Sequence, residues 1–523
     1  MDNKTITNTG LNETNNKDSS SRQSQDNLKS VEDLYVKCFK PTVSFCSDGE
    51  FRVEVRGRIR EGIKNALNLF SISDLKGDIN KVREVIFQGR TFSVAAVIFL
   101  SWMLTNFLLD KASPFGIKKA ADDYSEFIID RIAAPFYGSE AQNEIVVVLI
   151  NDNTLIKEGE AWPPHYDWYS RLLHRVSKNQ PKAIFFDVQF NNYRADDKTL
   201  DKARKELEED LAKFKVPLIL AQGADTSRKN VFGHIKSVEL APVEWSNFGR
   251  GYPLLLPASK SGEAQNDSCN PDQSIATPAL RLYREACSAD SSIGCVEPTS
   301  LLSGEALCRP LTPHWGRAVS KIMETKKLVR LSECDLINPT EAERFQSFVK
   351  SIFHTFISGF DDDIMEKTRQ PCAYTVTVLA HDLTNFDKVH DVLKGKIVLI
   401  GSGLSAMHDL VLTPVHGQLP GVYLHAMALD NLMTYGRDYY SHNKGRVFDF
   451  ILISMAMVVS WAIAVVLRAK PRFYQFGLRL FVVLLIVALS FVLYTQYHYP
   501  AVHWLSFLLL YELIIRVIQQ ERH

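Results

Sequence analysis

Four long apolar stretches constrain this chain more than any other feature of its sequence. In chain order they are Phe92–Leu109, Phe450–Leu467, Leu480–Gln496 and about Ala501–Ile518. Each is close to the roughly 20 apolar residues that a helix needs to cross a hydrocarbon core of about 30 Å. A buried core helix is the alternative for any one of them, but three in succession near the C-terminus favour a membrane. The sequence therefore predicts four transmembrane helices.

Positively charged residues predict the orientation of these helices. Lys and Arg concentrate before the first stretch, between the second and third, and after the fourth, at Lys81, Arg83, Arg90, Arg468, Lys470, Arg472, Arg479, Arg516 and Arg522. Such residues mark the cytoplasmic side of a membrane. Both termini are therefore expected in the cytoplasm and residues 111–447 outside it, with the first stretch as a signal anchor.

This topology divides the chain into six segments. They are a tail (1–30), a small cytoplasmic juxtamembrane segment (31–89), a transmembrane helix (90–110), an outer domain (111–447), three transmembrane helices (448–518) and a cytoplasmic tail (519–523). The first tail is rich in Asn, Ser, Thr and Asp and is expected to be disordered. The juxtamembrane segment is either a docking element or a plain helix beside the membrane.

The cysteines support an outer location for the large domain. Six of the eight lie within it, at Cys269, Cys287, Cys295, Cys308, Cys334 and Cys372. An even number in an oxidising compartment predicts three disulfides, whose connectivity the sequence leaves open. The absence of a C-x-x-C spacing makes a zinc site the weaker alternative. Most of these cysteines fall in an insertion near residues 260–340.

The outer domain shows an α/β pattern. Apolar runs that are typical of strands buried on both faces occur at Ile145–Ile150, Ala183–Val188, Val216–Ala221, Tyr374–Leu379 and Lys396–Ile400. Between them, residues 196–214 carry an apolar stripe at helical spacing. This alternation predicts a mostly parallel sheet covered by helices, in a single domain whose long insertion bears the cysteines.

Several polar and aromatic residues follow the predicted strands, where ligands of open parallel sheets collect. The candidate ligand-binding residues are Asp152, Trp162, Asp187, Ser402, His408, Asp409 and Thr413. A helix cap or a turn is the structural alternative for each. The run Gly401–Ala406 satisfies the dinucleotide fingerprint, but no helical pattern follows it, so no nucleotide cofactor is predicted. No cofactor of any other kind is predicted, and a metal site stays open.

Two groups of motifs resemble the type 2 CHASE domain, an extracellular sensory module of bacterial signalling proteins. The first consists of Ile145–Asp152, Trp162-Pro163 and Phe185–Phe190, and the second of Gly395–Gly401, Asp409, Thr413-Pro414 and Pro420–Asn431. The arrangement is also similar, because this family has one span before the domain and three after it. The resemblance covers about residues 110–518 and implies a sensory domain held in the bacterial inner membrane.

The same resemblance suggests where the signal goes. Members of this family carry a cyclase or kinase domain after the last span, whereas only a few residues follow the fourth stretch here. A separate cytoplasmic effector protein is therefore expected, and by analogy a homodimer. Glu512 and Arg516 lie one turn apart in the fourth stretch and are candidates for transmembrane coupling. The alternative is an ion pair that reaches the cytoplasmic surface.

Three classes of function compete. The leading hypothesis is a membrane sensor that binds a ligand outside and signals inside. A membrane scaffold or anchor subunit is the alternative, and a cation-dependent hydrolase using Asp152, Asp187 and Asp409 is a third, although no catalytic motif occurs. Sixty Lys and Arg balance sixty Asp and Glu, so the chain lacks the basic excess of a nucleic-acid binder.

Overall fold

The computed structural model describes a large central part of the chain. The described residues are 126–441, with gaps at 139, 192, 224–229, 244–250, 258–269, 288–294, 297–303, 329–333, 335, 358–371 and 407–408, together with 485, 488–489, 491–496 and 498. The chain divides into two compact units, Met1–Lys81 and Val82–His523, and every described residue lies in the second.

Most of the predicted membrane segments lie outside the described residues. This holds for the first, second and fourth apolar stretches, for part of the third, and for Glu512 and Arg516. Within the part of the chain that is described, no helix combines the length and the hydropathy that crossing a membrane requires. The four transmembrane helices therefore stay a prediction.

Ten strands are present among the described residues. They are β1 (Ile145–Ile150), β2 (Ala183–Asp187), β3 (Leu218–Gln222), β4 (Val238–Pro242), β5 (Leu255–Pro257), β6 (Ser274–Ala276), β7 (Val376–Leu379), β8 (Ile397–Ser402), β9 (Leu410–Thr413) and β10 (Gly417–Pro420). Six of them form one sheet in the order β4-β3-β2-β8-β1-β7, and every neighbouring pair in it is parallel. Two antiparallel hairpin pairs, β5–β6 and β9–β10, lie beside it.

Eight α-helices with both ends described accompany these strands. They are α1 (Asp152–Glu158), α2 (Tyr166–Ser177), α3 (Leu200–Phe214), α4 (Pro278–Ala286), α5 (Lys321–Thr325), α6 (Glu341–Ile357), α7 (Phe386–Leu393) and α8 (Val422–Tyr435). Local chemistry fixes several ends. The Asn151 side chain caps α1 by accepting from the Thr154 backbone N–H, and Gly159 ends that helix in the left-handed conformation. Residues 126–133 are also helical.

The core lies on both faces of the six-stranded sheet. Because successive side chains of a strand point to opposite faces, Val147 and Leu149 of β1 pack into one apolar cluster with α4 and α8. Val146 and Val148 of the same strand pack into a second cluster with α2, α3 and α7. The predicted α/β fold, a parallel sheet covered by helices, is therefore confirmed.

Strand β8 explains how distant parts of the chain form one domain. It lies between β1 and β2, with Ile400 opposite both Val148 and Phe186. Gly401 lets helix α8 approach this strand closely, because a Cβ atom there would lie 2.4 Å from the Cβ of Val422. The sequence patterns predicted the strand but not the approach of the helix.

Disulfides stabilise the insertion between the early and late strands. Cys287 is bonded to Cys295, and Cys334 is bonded to Cys372. Cys308 is also disulfide-bonded, and its partner lies outside the described residues, as Cys269 does. The predicted oxidised cysteines are therefore confirmed for these five, and the structure adds two pairings that the sequence left open.

Candidate functional site

A cavity of about 710 Å³ opens at the carboxyl edge of the parallel sheet. Asp187 at the end of β2 and Ser402 at the end of β8 form its floor, while Val411 of β9 and His425 of α8 lie on another side. Strand β8 is inserted between β1 and β2, and the chain leaves the carboxyl ends of these three neighbouring strands in different directions. Such a crevice is where open parallel sheets bind ligands, and the volume falls within the usual range for small molecules.

Aromatic side chains form one wall of the cavity. Trp162 precedes helix α2, Tyr166 and Tyr169 lie in its first turns, and Phe190 follows β2. The rings of Tyr169 and Phe190 meet edge to face, with centroids 5.0 Å apart. Tyr166 and Tyr169 are both buried, so their packing against the core holds this wall in place.

A paired arginine lies at the rim of this wall. The Arg194 guanidinium donates to the backbone oxygens of Pro163 and Pro164, at 3.0 and 2.8 Å. It also pairs with Asp197 at 3.1 Å and lies 4.2 Å from the centre of the Tyr166 ring. Burial alone would raise the pKa of Asp197, but its hydrogen bonds and the Arg194 charge hold that pKa below its usual range. The arginine charge is therefore already neutralised within the protein.

Two carboxyl groups line the cavity. Asp187 is buried, with 10% of its side chain exposed, and burial together with the charge of Asp409 raises its pKa to about 8. Asp409 is exposed as a residue, but its carboxyl group packs over Gly421, and this partial burial raises its pKa as well. Both groups therefore keep their protons to a higher pH than an exposed aspartate does.

A neutral histidine completes the polar surface. His425 is buried beside the Phe185 ring, and its Nε2 lies 3.8 Å from a carboxyl oxygen of Asp187. Its Nδ1 lies 2.8 Å from the Tyr252 hydroxyl, which accepts from the backbone N–H of Ala279. Burial lowers the pKa of His425 to about 3, so the ring is uncharged at neutral pH.

The family model described as the CHASE2 domain matches residues 96–467. This range includes the whole parallel sheet and every residue of the cavity described above. The chain belongs to the CHASE2 domain family. The resemblance seen in the sequence motifs is thus confirmed, and with it membership of a family of sensory domains. Comparison with curated proteins and with solved structures found no match.

The CHASE2 cavity brings together four of the seven ligand-binding candidates, namely Trp162, Asp187, Ser402 and Asp409. The structure places two others outside it. Asp152 accepts from the backbone N–H of Ser405 at 3.1 Å, next to the end of β1. Thr413 donates to the Gly417 carbonyl at 2.9 Å within the β9–β10 hairpin. His408 lies outside the described residues.

Other lining residues were not among the sequence candidates. They are Tyr166, Tyr169, Phe190, Arg194 and His425. His425 belongs to a motif that the CHASE2 resemblance includes, so a signal for it existed. No sequence signal marked Arg194. It lies in an irregular segment between β2 and α3, and the turn of the chain before α3 brings it to the cavity.

Among its described lining residues, the cavity does not have the donor set of a metal centre. Over the described part of the chain, no three His, Cys, Asp or Glu side chains converge as metal ligands would. Asp152 lies outside the cavity that Asp187 and Asp409 share, so the triad of the hydrolase alternative is not assembled around it.

A second buried polar group lies where the CHASE2 domain meets the third apolar stretch. The Tyr494 cluster consists of Asp130, His314, Tyr440 and Tyr494, all of them buried. The Tyr494 hydroxyl hydrogen-bonds to Asp130 and His314, and His314 lies 2.7 Å from Asp130. Tyr440 donates to the backbone oxygen of Tyr494 at 2.7 Å. The domain is thereby joined to residues 491–496 by buried hydrogen bonds.

Proposed function

We propose that this CHASE2 protein is a membrane-embedded sensor. Its outer domain binds a small ligand in the cavity at the carboxyl edge of the sheet and signals through transmembrane helices to a separate cytoplasmic effector protein. The cavity carries this proposal, because it combines a volume of about 710 Å³, an aromatic wall and a buried carboxyl group that faces the open space. A scaffold has no need of such a preformed site.

Helix α8 supports the proposed transfer of a signal. Near its N-terminus, His425 lines the cavity. Six residues later, the Asn431 side chain accepts from the backbone N–H of His314 at 2.9 Å and donates to the His314 carbonyl at 3.0 Å. At 1.5 Å per residue, His425 in the cavity and Asn431, which holds the His314 backbone of the Tyr494 cluster, are about 9 Å apart along one helix. A shift of α8 on ligand binding would therefore reach residues 491–496.

The disulfides support the proposed location. A bond closed across 38 residues, such as Cys334–Cys372, persists in an oxidising compartment and is rare in a reducing cytosol. We accordingly place residues 111–447 in the periplasm, with the chain anchored in the bacterial inner membrane and both termini in the cytoplasm. This is the side from which a small extracellular or periplasmic solute reaches the cavity.

Thermal unfolding of the full-length protein in lipid nanodiscs tests ligand binding. A panel of small metabolites is added at increasing concentration, and a compound that binds only the folded state raises the Tm in a saturable manner. We expect Trp162→Ala, which removes part of the aromatic wall, to weaken that effect. The control Phe386→Ala removes a partly exposed aromatic ring outside the cavity and should leave it unchanged. If no compound acts in a saturable manner, the scaffold alternative is favoured.

Co-purification tests the effector. The tagged full-length protein is isolated from its native host in a mild detergent, and the accompanying proteins are identified by mass spectrometry. A cytoplasmic enzyme recovered in near-equal amount supports the sensor proposal. Recovery of the protein alone contradicts a stable complex with a separate effector.

A further inference from the structure

Asp187 lacks the partners that a buried carboxylate normally has. Only 10% of its side chain is exposed, yet no described residue donates a hydrogen bond to it. His425 lies 3.8 Å away and is neutral, so it supplies no compensating charge. A buried ionised carboxyl group is costly unless it is paired. Among the described residues, no partner is therefore present that would let Asp187 ionise.

The charges around the cavity are unbalanced. Asp187 and Asp409 contribute two carboxyl groups, whereas Arg194 is the cationic side chain among the described lining residues. That arginine already pairs with Asp197 at 3.1 Å and donates to two backbone oxygens. Among the described residues, the acidic side of the cavity consequently has no unpaired basic group that would hold an anion.

The aromatic wall also favours a positively charged ligand. Trp162, Tyr169 and Phe190 line the same cavity as the two carboxyl groups. A positive charge near the face of such a ring is attracted by the ring electrons, and the attraction grows when water is excluded. Ammonium groups, unlike metal ions, use aromatic surfaces and carboxylates together. The described residues also offer no cluster of three metal-ligating side chains.

Building on the proposed function, we propose that the ligand is a small organic cation. Its amine or quaternary ammonium group lies against Asp187 and Asp409, and its organic part contacts Trp162, Tyr169 and Phe190. The recognised chemistry is a positive charge carried on an apolar body, which a neutral isostere or a bare metal ion does not reproduce.

Binding is coupled to the release of a proton. The cation pairs with ionised Asp187, so the carboxyl proton passes to the solvent and the net charge of the site is conserved. Burial and the charge of Asp409 raise the pKa of Asp187 to about 8. Below that pH, the dissociation constant should therefore rise about tenfold for each pH unit of acidification, and above it the dependence should flatten.

The other described groups around Asp187 do not account for such a dependence between pH 6 and pH 8. Burial lowers the pKa of His425 to about 3, and burial raises the pKa of Tyr252 far above this range. Arg194 pairs with Asp197 at 3.1 Å. Asp409, whose pKa burial also raises, belongs to the same acidic pair and would strengthen the effect in the same direction.

The experiment measures Tm shifts of the full-length protein in nanodiscs at pH 8 and pH 6. The probes are choline, tetramethylammonium and putrescine, with dimethylbutanol as the neutral carbon isostere of choline, and Mg²⁺ and Ca²⁺ as bare cations. Asp187→Asn removes the ionisable group, and Asp409→Asn serves as a second variant if the first fails to fold. The matched control is Asp152→Asn, because Asp152 is an exposed aspartate in the first turn of α1, after β1, and lies outside the cavity.

We expect at least one ammonium probe to raise the Tm in a saturable manner, and its apparent affinity to be weaker at pH 6 than at pH 8. The apparent affinity should fall at least tenfold in Asp187→Asn and stay unchanged in Asp152→Asn. Equal stabilisation by dimethylbutanol or by a bare metal ion overturns the proposal, as does an affinity that Asp187→Asn leaves intact.

The outcomes also separate this inference from the proposed function. Suppose that a neutral or anionic metabolite stabilises the protein, and that Trp162→Ala weakens this effect while Asp187→Asn does not. The sensor proposal then stands and the cation inference fails. If no compound of any charge stabilises the protein, both fail.

Discussion

Replacing Asp187 with Asn should stabilise the ligand-free protein, and the gain should grow with pH. Asn has nearly the same size and cannot ionise. In the folded protein, burial and the charge of Asp409 raise the pKa of Asp187 from 3.8 to about 8. A raised folded-state pKa means that the contribution of Asp187 to stability is fully present below about pH 4 and is lost as the pH rises towards 8. Asn suffers no such loss.

The size of this effect follows from the same shift. Each pKa unit corresponds to about 1.36 kcal/mol, so the gain at pH 8 should exceed the gain at pH 5 by about 2–4 kcal/mol. In a domain of this kind, the Tm gain from Asp187→Asn should therefore be larger at pH 8 than at pH 5 by about 5 °C or more. Buried functional groups often reduce stability in this way.

Scanning fluorimetry of the full-length protein in detergent micelles at pH 5 and pH 8 measures the gain. The control Asp152→Asn alters an exposed side chain and should change the Tm little at either pH. A gain for Asp187→Asn that is equal at both pH values, or a loss of stability at pH 8, would refute the reasoning.

Three further predictions concern the disulfides, the packing of α8 and the coupling to the membrane. Cys334→Ser opens a bridge across 38 residues and should cost about 4 kcal/mol, as measured by thermal unfolding. Cys287→Ser opens a bridge across 8 residues and should cost about 2.5 kcal/mol in the same assay. Gly401→Ala places a Cβ 2.4 Å from the Cβ of Val422 and should lower stability by about 1–3 kcal/mol in the same assay; an unchanged Tm would contradict the close approach. Tyr494→Phe removes a hydroxyl that joins the domain to residues 491–496. It should weaken effector regulation while ligand affinity stays the same, and a parallel loss of both would argue against a coupling role.

The sheet was predictable because its strands are buried on both faces. A strand in that position needs a continuous apolar run, and the run Ile145–Ile150 coincides with β1 as observed. Strand β4 and helix α1 were not predicted. Val238–Pro242 lies at the edge of the sheet and includes an exposed Glu239, and α1 is only seven residues long, so neither has a strong periodic pattern.

The candidate site was predictable only in part, for a similar reason. Asp187 and Ser402 follow predicted parallel strands, and the topology of the sheet brings such strand ends together. Arg194 reaches the cavity from an irregular segment that no local pattern records, whereas His425 lies in a motif of the CHASE2 resemblance but was not singled out as a ligand-binding candidate. Thr413 instead satisfies its hydroxyl within its own hairpin, a local hydrogen bond that competes with any role in a site.

Hydrogen–deuterium exchange tests the central claim most directly. The full-length protein in nanodiscs is compared with and without a saturating amount of the ammonium probe that gives the largest Tm shift. With the probe bound, we expect slower exchange in residues 162–169 and 402–425, which contain the cavity wall and its opposite side. We also expect a changed exchange rate in residues 491–496. Protection confined to another surface, or an unchanged rate in residues 491–496, would contradict a cavity that senses a ligand and passes the signal to the membrane.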